Sequence, residues 1–466
     1  MHEAKFESGV WGLSWEEAEG DSAVQGAACF SKDEGAQLDI PFGSVLGSDM
    51  GIIPNRSVTA KYVFGITRKS EHIVLVDCDG NNTTFHFPGV EHQTVRANLL
   101  WYSKKQFNPD EKLTSCDIDL SHLLLWYGKS IVKDELKLDD GKFLSETVSV
   151  NTEDLAYVPL YSDEEISVNL RPASKRNGQD LEEVRFNNKC SLRLESSRPL
   201  SYDEMMRYVT EIQRFISFCM GWYAQIESIC MVNESGIQIE SYGRYIENEN
   251  ELKKSVIHEM PLPYRKIHDK TQMLIKNWLH GSEEFNAAKS VFVPLATLKQ
   301  SFYINLQFLA AAQTLEALAR DGRETKEMTD EQFAERLRTI SESIEDEDVR
   351  AWADNKLKYC NRVSQGRLIK DLYDFVGPYA KEIFPKKSAF VGKHVDMRNN
   401  IAHQNPNAKD LQNDFLFYHM HGVILLCYAA VMRKLGFDEE ETALLLNDSN
   451  FRWYLKDKAA ELYQKK

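Results

Sequence analysis

Eight cysteines in 466 residues, none in a CxxC pair, provide no spacing for a zinc site or a disulfide framework. Reduced thiols in the cytoplasm are the expectation, and no metal or cofactor is called for. No apolar core follows Met1-His2-Glu3-Ala4-Lys5, so no signal peptide is read there. The longest apolar run, Gly422 to Met432, has 11 residues, too few to span a bilayer, and no membrane partner is expected. The P-loop, the Rossmann glycine pattern, the GxSxG elbow and HExxH are all missing, which sets those enzyme classes aside. Internal repeats and low-complexity segments are also lacking.

Positive charge is scarce: 56 Lys+Arg against 71 Asp+Glu give a net of −15. Such a chain does not coat nucleic acid indiscriminately. The deficit is uneven. From Leu298 onward there are 25 basic and 26 acidic side chains, so almost all the acidity precedes it. Lys356 to Lys409 holds 11 basic and 4 acidic side chains, a local excess that fits either a solvated face or one that meets RNA.

The 42% hydrophobic and 11% aromatic content is enough for two or three cored domains. Residues 1 to about 195 read as strands. Their β-branched and aromatic runs are Val58–Thr67, His72–Asp79, Thr83–Pro88, Val95–Tyr102, Cys116–Tyr127, Ile166–Arg171 and Val184–Leu194. Asp79-Gly80-Asn81-Asn82 predicts a hairpin turn between two of them. Ser201 to Glu204 opens a helix by a capping box, and Met205, Val209, Ile212, Ile216 and Cys219 mark its face. Two strand-like runs follow, Ala224–Val232 and Gly236–Tyr245, and Pro261 and Pro263 suggest a linker.

Beyond Tyr264 the pattern is helical. Ile304, Phe308, Ala311, Leu315 and Leu318 form one stripe. Thr329 to Gln332 caps a helix carrying Phe333, Leu337, Ile340 and Ile344. Leu368, Leu372, Phe375 and Val376 face inward on another, which stops at Gly377-Pro378, and Asp410 to Lys434 forms a long helix ending at Gly436. The fold class is α+β multidomain: a β-rich domain, sandwich or barrel-like, over 1–255, then an all-α bundle over 256–466.

The most informative segment is Asp396-Met397-Arg398-Asn399-Asn400-Ile401-Ala402-His403, closed by Gln404-Asn405-Pro406-Asn407. At about 100° per residue, Phe390, Met397 and Ile401 form one apolar edge and Val391, Val395 and Ala402 the other. Arg398 projects between them, into an arc expected to be buried, and a buried arginine needs a partner. Glu316, at the end of the Ile304 stripe, can pair with it or sit solvated at a helix end. Asn405 before Pro406 ends the helix near His403, so the imidazole can swing toward the reach of Arg398. Arginine suits phosphate oxygens, and histidine transfers protons near neutral pH. Attack of an RNA 2′-hydroxyl on its phosphodiester needs a base, an acid and charge stabilisation. A two-fold dimer would bring two His403 and two Arg398 into one cleft, with the apolar arc as its interface. Among the other histidines, His394 reads as a core or interface residue, and His419 and His421 diverge on their helix.

Arg398-Asn399-Asn400-Ile401-Ala402-His403, after a helix spanning Phe302 to Arg320, resembles the motif of HEPN-domain ribonucleases. The resemblance implies Arg398 and His403 as catalytic residues, Asn399 as the supporting polar residue, and a metal-independent enzyme. It further implies a homodimer formed through this domain and products ending in 2′,3′-cyclic phosphate. Gly9-Val10-Trp11-Gly12-Leu13, Val24-Gln25-Gly26, Leu38-Asp39-Ile40 and the run Ile212 to Ile229 through Phe215, Phe218 and Gly221 are similar to the β-rich domain of ApeA-like anti-phage proteins. Ser14 stands where that likeness would place a proline. Together the two likenesses imply an abortive-infection effector whose ribonuclease is released when the N-terminal domain senses a phage-derived trigger.

Two rival functions fit parts of the sequence. Pro109-Asp110 with Glu135-Leu136-Lys137 fits the bare PD…ExK pattern of metal-dependent nucleases, without an evident third ligand. A non-catalytic module that binds RNA, a nucleotide or a protein would use the same Arg398 and His403 for holding alone.

Overall fold

Apolar residues alternating with polar ones set the N-terminal strands. They are β1 (Ala4–Lys5), β2 (Gly9–Gly12), β3 (Val24–Ser31), β4 (Gly35–Ile40), β5 (Thr59–Thr67), β6 (His72–His86) and β7 (Val90–Ser103). The computed structural model describes residues 4–6, 8–31, 34–46, 59–86, 90–140, 142–177, 185–243, 258–298, 303–403 and 413–464. Six strands close on themselves in the order β3-β2-β5-β6-β7-β4 and back to β3, each pair antiparallel. The barrel-like alternative is therefore the one realised, and closure leaves these strands without open edges. Trp11, Phe30, Leu38, Val63, Ile73, Leu75, Val95 and Leu100 fill the barrel.

The family-like N-terminal residues have physical roles here. Trp11 is fully buried, and its Nε1 donates to the Gly26 carbonyl at 3.1 Å. Leu38 and Ile40 point into the same core. Ser14 accepts a hydrogen bond from the Glu17 amide at 3.1 Å and so caps α1 (Trp15–Glu19). The hairpin expected at Asp79 to Asn82 is not there: β6 runs through it to His86, with a register irregularity between Asp79 and Asn82. Gly80 permits this, because a Cβ there would lie 2.8 Å from a Leu46 methyl. A glycine inside a strand can mark a bulge and close packing as well as a turn.

Along β7, Gln93 to Ala97 pair with β4 while Leu99 to Tyr102 pair with the last strand of the region. The remaining strands are β8 (Leu113–Leu120), β9 (Val132–Asp139), β10 (Lys142–Val150), β11 (Val158–Ser162), β12 (Ile166–Asn177), β13 (Arg185–Leu200), β14 (Ile226–Asn233) and β15 (Gln238–Gly243). The barrel wall thus continues into an open sheet, β7-β15-β14-β8-β13-β12-β11, while β9 and β10 form a separate two-stranded sheet. The single run expected over Cys116–Tyr127 divides into β8 and the short helix α2 (Leu123–Tyr127), with His122 at φ +62° before it. The capping box at Ser201 opens α3 (Tyr202–Met220) as expected: the Ser201 amide donates to Glu204 and the Glu204 amide to Ser201. Its apolar face from Met205 to Cys219 is buried.

The chain forms two units, one of Met1–Ile216, Ala224–Leu252 and Pro263–Ile275, the other of Ser217–Tyr223, Lys253–Leu262 and Lys276–Lys466. The helices after α3 are α4 (Tyr264–Ile267), α5 (Thr271–Leu279), α6 (Glu283–Thr297), α7 (Ile304–Arg320), α8 (Asp330–Ser343), α9 (Glu347–Leu357), α10 (Gln365–Val376), α11 (Pro378–Ile383), α12 (Lys387–Ala402), α13 (Asn413–Leu435), α14 (Glu439–Asp448) and α15 (Trp453–Gln464). The segment around Pro261 is no solvated linker, since Met260 and Leu262 are buried and the Leu262 amide donates to the Cys219 carbonyl. In the second unit Phe218 stacks on Tyr428 with ring centroids 4.4 Å apart.

Every side chain from Val423 to Met432 is buried, which makes α13 the core helix of that unit. By length and composition α13 is apolar enough to cross a membrane, more than the 11-residue run suggested, but most of it is enclosed by its neighbours. A helix apolar on all sides is a core helix when protein surrounds it. The stripe on α7 packs inward from Phe308 to Leu318. The capping box of α8 forms as expected, yet Phe333, Leu337, Ile340 and Ile344 are only half-buried. The expected start of the long helix at Asp410 lies outside the described residues.

Candidate active site

Helix α12 starts two residues after Pro385 and ends with His403 as its C-cap, whose amide donates to the Asn399 carbonyl at 3.0 Å. Phe390, Val391, His394 and Met397 are buried, whereas Val395 and Ile401 are half-buried and Ala402 is exposed. The buried face therefore ends at Met397, one turn earlier than the apolar spacing implied. Arg398, the next residue, stands where core gives way to solvent, with 34% of its side chain exposed. Segment 404–407, expected to end the helix, lies outside the described residues.

The guanidinium is held from two sides. Its Nε donates to Glu316 Oε1 at 3.1 Å, and Nη1 donates to Asn399 Oδ1 at 3.3 Å. Glu316, on α7 and nearly buried, is thus paired and not solvated. Its other oxygen accepts from Arg320 Nη2 at 3.2 Å, and Gln365 Nε2 at the start of α10 also donates to Oε1. One carboxylate thereby ties α7, α10 and α12 together through charge-assisted bonds. Among the described residues no protein group accepts from Arg398 Nη2.

Arg398 lines a cavity of about 710 Å³. Its wall carries Arg398, Arg320, Lys326, Lys358 and Arg362 against Glu284, Glu316 and Asp330, and Tyr359 and Gln365 also line it. Lys326 is neutralised by Asp330 at 2.6 Å, and Lys358 lies over the exposed Tyr359 ring at 5.6 Å. A concave site with excess cations and an aromatic ring can take a phosphate and a base.

Of the three residues singled out by the motif, the fold joins Arg398 and Asn399. His403 is exposed at the helix end, does not line the cavity, and makes no side-chain hydrogen bond among the described residues. Its link to Asn399 runs through the backbone alone. Asn399, the supporting polar residue that the resemblance implies, thus orients the arginine in this structure. Arg320, Tyr359 and Gln365 were missed. The i,i+4 spacing of Glu316 and Arg320 was a usable signal, and the local basic excess already contained Lys358 and Arg362.

His394 and His419 are core residues. His394 Nδ1 lies 3.2 Å from His419 Nε2, and His419 Nδ1 lies 2.7 Å from the Tyr463 hydroxyl. Burial, then the nearby Arg398 charge, depresses His394 to about 3. Burial, with His394 and Lys393 adding to it, drives His419 well down. His421 diverges from His419 toward Arg452, and burial followed by that charge lowers it to about 3. All three are neutral at physiological pH and unsuited to proton transfer there.

The PD…ExK residues do not come together as a metal site. Asp110 is occupied by Lys61 Nζ at 2.6 Å and Tyr62 Oη at 2.8 Å. Glu135 and Lys137 lie exposed on the separate β9–β10 sheet, and no group of three or more His, Cys, Asp or Glu among the described residues could hold a metal ion. None of the cysteines is joined in a disulfide among the described residues.

Residues 7–278 match the family model described as ApeA N-terminal domain 1, and residues 309–441 match the one described as Apea-like HEPN. No curated protein and no solved structure matches the chain. The first model covers more than half of the sequence, and the second contains Glu316, Arg398 and His403. The chain therefore belongs to the ApeA family, a β-rich N-terminal domain followed by a HEPN helical domain, and stands at family level among the ribonucleases of anti-phage defence.

Proposed function

We propose that the chain is a metal-independent endoribonuclease that cuts RNA by attack of a 2′-hydroxyl on the adjacent phosphodiester. Arg398 holds the scissile phosphate, and Asn399 and Glu316 fix its orientation. His403 removes the 2′-hydroxyl proton or protonates the departing 5′-oxygen, leaving a 2′,3′-cyclic phosphate and a 5′-hydroxyl. One observation carries this reading: a guanidinium anchored through Nε that lines a cation-rich cavity of about 710 Å³. An arginine restrained in this way is prepared for developing negative charge without reorganisation. Because one copy supplies a single His403, the acid and the base come from two copies joined through their HEPN domains. The N-terminal domain acts as sensor for a phage-derived trigger, and free thiols suit a cytoplasmic protein.

A non-catalytic RNA-binding module is the second reading, favoured by the position of His403 away from the cavity wall. Both are tested by incubating RNA and chelator with the full chain, Arg398→Ala and His403→Ala, and analysing the product ends. Cleavage by wild type alone, yielding cyclic phosphate ends, supports the enzyme. Retention of RNA without product supports the binding module, and equal cleavage by all three removes Arg398 and His403 from the chemistry.

A further inference from the structure

The Glu135-Leu136-Lys137 triplet, released from a nuclease role, belongs to a hairpin whose apolar side is uncovered. Cross-strand register places Leu138 opposite Phe143, Asp134 opposite Val148 and Val132 opposite Val150. Residues facing each other across a ladder share a face. Leu136, Leu138, Phe143 and Val148 therefore lie on one side, and they are 56%, 58%, 64% and 45% exposed. Lys133, Glu135, Lys137 and Asp139 alternate in sign along the opposite side of β9. A two-stranded ribbon is marginal alone and gains stability from added strands with a shared apolar face. The sheet contains only β9 and β10, so among the described residues the outer edge of β9 pairs with no strand.

We propose that β9 pairs antiparallel with β9 of a second copy of this chain, with Leu136 on the two-fold axis, to form a four-stranded sheet. Charge complementarity selects this pairing. With Leu136 opposite itself, Glu135 faces the other copy's Lys137, and Lys133 faces its Asp139. Both pairs occur twice by symmetry. Sliding the register by two residues sets either Lys133 against Lys137 or Glu135 against Asp139, which is repulsive. A strand edge protected by lysines alone would repel its copy in every register. This edge attracts its copy most with Leu136 on the axis, because both kinds of pair form there and a shift of four residues keeps only one of them. Lys133 already reaches Asp154 at 2.9 Å, so the Glu135–Lys137 pairs flanking the axis set the register. The contact lies in the β-rich unit and does not depend on the ribonuclease reading.

The test uses the full chain carrying Cys360→Ser, which removes the exposed thiol. Adding Leu136→Cys should give a covalent dimer on mild oxidation, while Leu138→Cys, away from the axis, should give little. In solution, Lys137→Glu should halve the assembly mass measured by light scattering at micromolar concentration. Glu135→Lys combined with Lys137→Glu should restore it, because the swapped charges are again complementary. An assembly mass unaffected by Lys137→Glu, no recovery in the swap, or cross-linking stronger at Leu138→Cys than at Leu136→Cys would overturn the proposal. Unchanged melting temperature in each variant, expected for exposed positions, separates lost pairing from lost folding.

Discussion

The Nε of Arg398 donates to Oε1 of Glu316 across 3.1 Å, joining residues 82 positions apart in sequence. The same carboxylate binds Arg320 and Gln365, so it positions the arginine and also fastens three helices. Glu316→Ala leaves two guanidiniums without their acceptor and lets Arg398 swing. We expect RNA cleavage to drop on the order of 10- to 100-fold and stability to fall by about 1–3 kcal/mol, a range kept low because Arg398 is a third exposed. Glu316→Gln keeps an oxygen for Nε and should lose less of both. Wild-type cleavage by Glu316→Ala would remove Glu316 as a positioning residue.

Lys358 and Arg362 line the cavity wall. If they meet the RNA backbone, Lys358→Ala and Arg362→Ala should weaken binding across sequences alike. Each should also reduce the slope of log affinity against log salt by about 0.7 for a single strand. Binding isotherms at three salt concentrations would show this. An unchanged slope would direct the strand elsewhere on the molecule.

Much of this was legible beforehand because the signals were local. The Ser201 and Thr329 capping boxes, the α7 stripe and the glycine stop after α10 follow from spacing within a few residues. Barrel closure was not, since it depends on β3 and β7 both pairing with β4, and sequence alone left sandwich and barrel equally open. The glycine at position 80 misled because turns and bulges share the same residue preferences. At the candidate site the motif names Arg398 and Asn399, whereas Glu316 stands between two readings in the sequence alone. Gln365 and Tyr359 carried no signal, because only tertiary packing brings them to the cavity.

Within the barrel, a Cβ added at Gly65 would fall 2.3–2.6 Å from the Trp11 ring atoms Cζ3, Cε3 and Cη2. Trp11 is fully buried and fixed by its bond to Gly26, so the ring has nowhere to retreat. Gly65→Ala should therefore cost about 2–3 kcal/mol through overpacking. Pairing it with Trp11→Leu should recover part of that loss by making room. Thermal melts of the two variants against wild type decide it, and a Gly65→Ala protein as stable as wild type would mean the barrel wall yields more than the packing suggests.

Acid should weaken the helical unit through its interior histidines. His394 sits at about 3 in the folded chain against an ordinary value of 6.5, and His419 is also driven far down, both chiefly by burial. The unfolded chain therefore binds more protons than the folded one below pH 6.5, and stability must fall with pH over that interval. It is fully present above about pH 6.5 and is lost progressively toward pH 3. At pH 5.5 His394 should already cost about 1 kcal/mol, because one pKa unit corresponds to about 1.4 kcal/mol, and His419 acts in the same direction. His394→Asn, which cannot take up the proton, should melt lower at pH 7 through its broken contact with His419 but show a shallower decline on acidification. The measurement is melting temperature between pH 5 and 8 for wild type and variant. Parallel curves would mean that His394 gains its proton in the folded state as readily as in the unfolded one, against its complete burial among Phe308, Phe390 and His419.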